Sequence, residues 1–234
     1  MSKLKELFKN KSTDLCSVFF TSGFPELSDT TKIIEGLSKN GVDFIEVGMP
    51  YSDPLADGLT IQESSSRALA KGINLDIIFD QLKSIKNSNN TPLVLMGYLN
   101  QMLRYGEHKF CEQCAASGIE TVILPDLPMI EYETHYKALF AKYGISNVFL
   151  VTPQTSEERI RKIDSYTDTF IYVVASASIT GAKGEISQAQ IDYFERIKAM
   201  NLKSTLIVGF GISNKSTFNT VCKYVNGAII GSAF

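Results

Sequence analysis

Eight short runs rich in β-branched and aromatic residues, each followed by a break of Gly, Pro, Ser or Asp, predict a parallel sheet built from repeated βα units. No linker, low-complexity tract or shift of composition divides the 234 residues. Count and continuity together favour one α/β domain over residues 1–234, a single (β/α)8 TIM barrel, rather than a doubly wound open sheet. Barrels of this kind commonly hold about 250 residues in one domain.

The predicted strands run from Cys16 to Thr21, Phe44 to Val47, Leu93 to Gly97, Thr121 to Leu124, Asn147 to Val151, Phe170 to Ala175, Thr205 to Gly209 and Gly227 to Ile230. Helix-period stretches lie between them. In LSDTTKIIEGLSKN, Ser28 or Asp29 can cap, and Ile33, Ile34 and Leu37 share a face. FCEQCAASG, EYETHYKALFAKYG, SEERIRKIDSY and QAQIDYFERIKAM follow strands three to six, and Gly118 and Gly144 end two of them where the chain must turn. The sequence closes with GSAF directly after the eighth run, so the barrel is expected to lack the helix after strand eight.

With 44% hydrophobic and 21% charged residues the chain has an ordinary globular composition. Its net charge of −2 supplies no basic field for nucleic acid. The N-terminus MSKLKELFKNK has no apolar signal core, and no run reaches the roughly eighteen apolar residues a membrane helix needs. A cytoplasmic protein without nucleic-acid or membrane partners is expected. Cys111-x-x-Cys114 has no second CxxC, and the only histidines, His108 and His135, fall in polar helical segments. The thiols read as structural, and no metal site is expected.

In a (β/α)8 barrel the chemistry sits at the C-terminal ends of the strands, so the polar residues there carry the argument. Glu46 lies inside FIEV, on the opposite face from Ile45 and Val47. If those two face the helices, Glu46 points into the barrel, where burial should raise its pKa and suit it to proton transfer. Asp57 follows in a loop held by Pro50, Pro54 and Gly58, which can fold it back over the mouth. The alternative is that Asp57 caps the helix starting near Thr60. Asp53, in Ser-Asp-Pro, reads as a turn residue.

A second constellation combines glycine and hydroxyl after the last three strands: Thr180-Gly181, Gly209-Phe210-Gly211-Ile212-Ser213 and Gly231-Ser232. Glycine lets a backbone approach phosphate closely, and barrels often bind phosphate after strands seven and eight. The polar loop from Ser176 to Gly184 has the composition of a lid.

The run from Ile45 to Gly58, IEVGMPYSDPLADG, followed by Thr60-Ile61-Gln62, resembles the signature of the tryptophan synthase α subunit family. Thr21-x-Gly23-x-Pro25, Leu95-Met96-Gly97-Tyr98-x-Asn100, Pro125-Asp126-Leu127-Pro128 and the three glycine loops extend the resemblance over nearly the whole chain. It departs from the pattern at Ser178-Ile179, where Gly-Val is common, and at Leu59, where Pro usually follows Asp-Gly.

The resemblance implies a (β/α)8 lyase that cleaves indole-3-glycerol phosphate by a retro-aldol reaction to indole and glyceraldehyde 3-phosphate, late in tryptophan biosynthesis. It implies Glu46 as general acid/base and Asp57 as the carboxylate that stabilises the protonated indolenine. Phe19, Tyr98, Tyr172 and Thr180 would surround the indole, although Phe19 and Tyr172 can equally be core residues. Gly181, Gly211, Gly231 and Ser232 would bind phosphate. No cofactor is implied for this chain; pyridoxal phosphate is implied in a partner β subunit, in an α2β2 heterotetramer. A Schiff-base aldolase would need a strand-end lysine, and the eight runs contain none. The glycine loops alone also fit another phosphosugar barrel, an isomerase or epimerase. The third reading is a barrel that mainly activates a partner subunit.

Overall fold

The computed structural model describes residues 2–55, 57–175, 186–209 and 211–234. Its eight parallel strands follow one another in chain order round a closed barrel. They are β1 (Leu15–Thr21), β2 (Phe44–Gly48), β3 (Leu93–Met96), β4 (Thr121–Ile123), β5 (Ser146–Val151), β6 (Phe170–Val174), β7 (Thr205–Gly209) and β8 (Gly227–Ile230). Each lies within two residues of its predicted bounds. β2, β4 and β6 are buried at every position, as strands covered on both faces must be.

The chain divides into two compact units, one of residues 20–147 and one of residues 1–19 with 148–234. In the first, β2 pairs with β3 and β3 with β4. Around them lie α2 (Asp29–Lys39), α3 (Leu59–Ala70), α4 (Leu75–Ile85), α5 (Leu99–Tyr105), α6 (Glu107–Ser117), the short α7 (Met129–Glu131) and α8 (Lys137–Lys142). In the second, β1 pairs with β8, and β5 to β8 pair in sequence. Here the helices are α1 (Lys3–Asn10), α9 (Glu157–Tyr166), α10 (Gln188–Ala199) and α11 (Lys215–Val221).

Local chemistry sets several helix ends. Asn74, Ser156, Ser187 and Asn214 each accept a backbone N–H three residues on, satisfying a donor that the helix cannot. Ser28 takes the cap position of α2 without a side-chain bond; Asp29 instead accepts from the Glu26 N–H at 3.2 Å. Gly118 ends α6 in the left-handed region, as its position predicts.

The expected helix EYETHYKALFAKYG is interrupted by a π-helical turn over Tyr132–Tyr136. Thr134 Oγ1 donates back to the Ile130 carbonyl at 2.8 Å, a bond that loosens the helical ladder. The wider turn buries both Tyr132 and Tyr136 against Phe140, with ring centroids 6.2 and 5.8 Å away. After β8 the last four residues form a turn closed by the Phe234 N–H on the Gly231 carbonyl at 2.8 Å.

Candidate active site

Glu46 is fully buried at the middle of β2, and neither carboxylate oxygen meets a hydrogen-bond partner among the described residues. Desolvation alone pushes its pKa up to about 8. An isolated carboxylate is costly away from water, so the group keeps its proton at neutral pH. Alternation along the strand placed this residue; its burial, with no hydrogen-bond partner among the described residues, keeps it protonated.

Asp57 is half-buried in the loop after β2, and the Tyr98 hydroxyl is hydrogen-bonded to its carboxylate. Burial raises its pKa, while the Tyr98 bond pulls the other way. The helix that follows begins at Leu59 with Gly58 in the cap position, so Asp57 is not its cap. Instead Gln62 Nε2 donates to the Asp57 carbonyl at 2.7 Å and fixes the backbone beneath the carboxylate. Asp53 is exposed and accepts from Ser52 Oγ at 2.5 Å, consistent with a turn residue. Three acids close in sequence thus meet three environments.

Tyr98 is only 5% exposed and opens α5 directly after β3. Its ring lies 5.0 Å from that of Tyr51, whose hydroxyl accepts from Asn100 Nδ2 at 2.9 Å. The Leu99 N–H donates to Asp126 Oδ1 at 2.8 Å, so the Pro-Asp-Leu-Pro turn after β4 anchors the start of the same helix. Sequence reasoning placed Tyr98 beside a ring and did not find its bond to Asp57. The only signal was the motif linking Tyr98 and Asn100. A further pair it missed is Thr21 Oγ1 and Ser64 Oγ, 2.7 Å apart and buried, which docks α3 onto the end of β1.

In the second unit, Phe19 is half-buried on β1 and Tyr172 is 4% exposed on β6. Tyr172 crosses Gly209 of β7 so closely that a Cβ there would overlap its hydroxyl. Gly211 has φ +80° with open space around it, Gly231 is half-buried beside open space, and Ser232 is exposed. Both glycine loops therefore leave backbone accessible, as close approach by an anion requires. Thr180, Gly181 and the lid-like loop from Ser176 to Gly184 lie outside the described residues.

Cys111 and Cys114 are buried in α6, and burial raises both thiols, Cys111 to about 11 and Cys114 well above its ordinary value. They are held as neutral thiols at neutral pH. Among the described residues no group of three or more His, Cys, Asp or Glu is placed to hold a metal, and no helix is long and apolar enough to cross a membrane.

A closed parallel barrel with a buried carboxyl group on β2 and a second carboxylate in the loop that follows is the architecture of the (β/α)8 enzyme class, with candidate acid–base groups at the strand end. The family model described as tryptophan synthase alpha chain matches residues 4–234. The tryptophan synthase alpha chain of Flavobacterium johnsoniae is 57% identical over 94% of this chain and 87% of its own length. That of Bacteroides thetaiotaomicron is 47% identical over 100% of this chain and 91% of its own. A chain in the crystal structure of a tryptophan synthase complex from Pyrococcus furiosus superposes with a TM-score of 0.86 at 33% identity, covering 95% of this chain and 89% of that one. This chain belongs to the tryptophan synthase alpha chain family.

Proposed function

We propose that the chain is a carbon–carbon lyase that cleaves indole-3-glycerol phosphate to indole and glyceraldehyde 3-phosphate, late in tryptophan biosynthesis. The observation that carries this reading is Glu46, buried, without a hydrogen-bond partner among the described residues and protonated below about pH 8. Glu46 gives its proton to indole C3. The resulting indolenine carries positive charge at the ring nitrogen, which the Asp57 carboxylate stabilises. The Glu46 carboxylate then takes the proton of the adjacent glycerol hydroxyl; the electron pair of that O–H bond becomes the aldehyde C=O, and the C–C electrons return to the ring. One proton enters, one leaves, and indole departs neutral.

The division of labour follows from environment. An acid with its pKa near the working pH exchanges protons efficiently, while a carboxylate held by a tyrosine hydroxyl stays anionic more readily. Tyr98 orients Asp57. Phe19, Tyr172 and Thr180 are assigned to the indole, and Gly181, Gly211, Gly231 and Ser232 to the phosphate. No described strand carries a lysine, so a Schiff-base route has no candidate nucleophile there. The reaction as written needs no cofactor.

The family match over residues 4–234 and the closed strand order support a single barrel domain, which we assign to the cytoplasm. The name of the family and the Pyrococcus furiosus complex support a partner β subunit, which we assign as the site of pyridoxal phosphate in an α2β2 assembly. The isomerase or epimerase and partner-activation readings gain no specific observation. The deciding experiment measures indole release from indole-3-glycerol phosphate with and without a β subunit. Turnover that rises with the partner is expected; turnover of a phosphoribosyl or ribulose compound instead would overturn the assignment.

A further inference from the structure

Gln101 ties the start of α5 to the first residues of the loop after β2. It is the third residue of α5, and its Oε1 accepts the Tyr98 N–H at 2.9 Å, closing the first turn of that helix. Its Nε2 points the other way and donates to the Pro50 carbonyl at 2.8 Å, across a separation of 51 residues. Pro50 opens the loop that carries Asp57. One carboxamide therefore spends its acceptor on the helix that presents Tyr98 and its donor on the loop that presents the carboxylate Tyr98 binds.

The surroundings are shaped to this amide. A Cβ on Gly97 would come within 2.7 Å of Gln101 Oε1 and overlap the Met49 methyl, so only glycine leaves room for the side chain to reach back. Next to it Asn100 Nδ2 donates to the Tyr51 hydroxyl at 2.9 Å, and the Tyr51 ring lies 5.0 Å from that of Tyr98. Tyr98, Asn100 and Gln101, within one turn of α5, thus grip the Asp57 loop at its carboxylate, at Tyr51 and at Pro50. The Gln101 bond lies nearest the strand end, where a small displacement is carried along the rest of the loop.

We propose that Gln101 is a positioning residue for Asp57, holding the loop after β2 in register with Tyr98 through the Pro50 carbonyl. This rests on the lyase reading for its kinetic consequence, and on geometry alone for its structural one.

Gln101→Glu separates the two bonds. The carboxylate keeps an acceptor for the Tyr98 N–H, and an acid at this position suits a helix N-terminus, so the fold should be retained. It has no donor for Pro50. With substrate, kcat is expected to fall about tenfold with KM within about twofold, because the lost interaction orients a group used in the transition state. Combined with Tyr98→Phe the losses should be markedly less than multiplicative, since both act through Asp57. In hydrogen exchange without substrate, amides of residues 51–58 should exchange faster while those of α5 do not. Gln101→Leu, which loses both bonds, should in addition loosen α5. Unchanged kcat and unchanged exchange in Gln101→Glu, or losses that multiply with Tyr98→Phe, overturn the positioning role. A parent chain without lyase activity whose loop nonetheless loosens in Gln101→Glu overturns the lyase reading and leaves the tie standing.

Discussion

The two compact units differ in the kind of candidate site residue they carry. In residues 20–147 the candidates are side chains: a carboxylic acid with no partner among the described residues, a second carboxylate given one by Tyr98, and a set of amides on α5 that hold the loop. In residues 1–19 and 148–234 the candidate contacts are backbone, at Gly211 with its positive φ and at Gly231 beside open space. The difference follows from the ligand groups. Proton transfer needs a titratable side chain of tuned pKa, whereas a phosphate is satisfied by N–H groups that keep one protonation state at all pH. Variants in the first unit should therefore lower kcat, and variants in the glycine loops should raise KM.

Glu46→Gln is the sharpest test, with kcat expected to fall about 10³-fold, within the usual range for loss of a general acid/base. The same variant should change the pH dependence of stability. Glu46 has a folded pKa of about 8 against an ordinary 4.5, so between those values the folded chain keeps a proton that the unfolded chain has lost. Stability from this group is full below about pH 4.5, declines as pH rises towards 8 and is level above, each unit being worth about 1.4 kcal/mol. Thermal melts of Glu46→Gln against the parent should show the variant gaining most at pH 9, and a parallel pair of curves would break the assignment of Glu46 as a neutral acid.

Asp57→Asn comes next, with a loss of about 10²-fold in kcat from the missing negative charge, measured as indole release. For the parent, kcat/KM should fall at high pH as Glu46 ionises near 8, and at low pH as Asp57, its pKa raised by burial, takes up a proton. Gly231→Ala meets no atom within 4 Å and should fold normally, yet raise KM about tenfold at constant kcat by crowding the phosphate. A fall in kcat instead would erase the contrast between the units. The smallest loss of activity is expected for Gly209→Ala, where a methyl displaces the Tyr172 hydroxyl. It should cost about 1–3 kcal/mol of stability by overpacking, read from denaturant unfolding, with a few-fold loss of activity.

Much of this was legible because it is local. Asp57 and Asp53 stood apart in the sequence through the prolines and glycines that bend their loop, and Gly118 marked the end of α6. What escaped was set by distant pairs: Tyr98 to Asp57, Gln101 to Pro50, Leu99 to Asp126. A tyrosine or glutamine at a helix start carries no mark of the loop it will bind. α4 and α5 were passed over for a related reason. Both lie in stretches between strands where one helix was sought, although Asn74 and the apolar Ile78, Phe79, Leu82 and Ile85 mark α4 plainly. The π-turn at Tyr132–Tyr136 had no such mark, since Thr134 bonds back to Ile130 only once both rings have a place against Phe140.

By itself the sequence determined the eight strands, their order and the position of Glu46 within one of them, because a two-residue alternation and the residues that break it act over a few positions. Only the tertiary structure decided what these groups are chemically. Glu46 stays protonated because its burial leaves it without a hydrogen-bond partner among the described residues, and Asp57 is oriented because Tyr98 and Gln62 reach it from the start of α5 and from α3. A pKa is a property of an environment, and that environment forms only when residues distant in the chain are packed together.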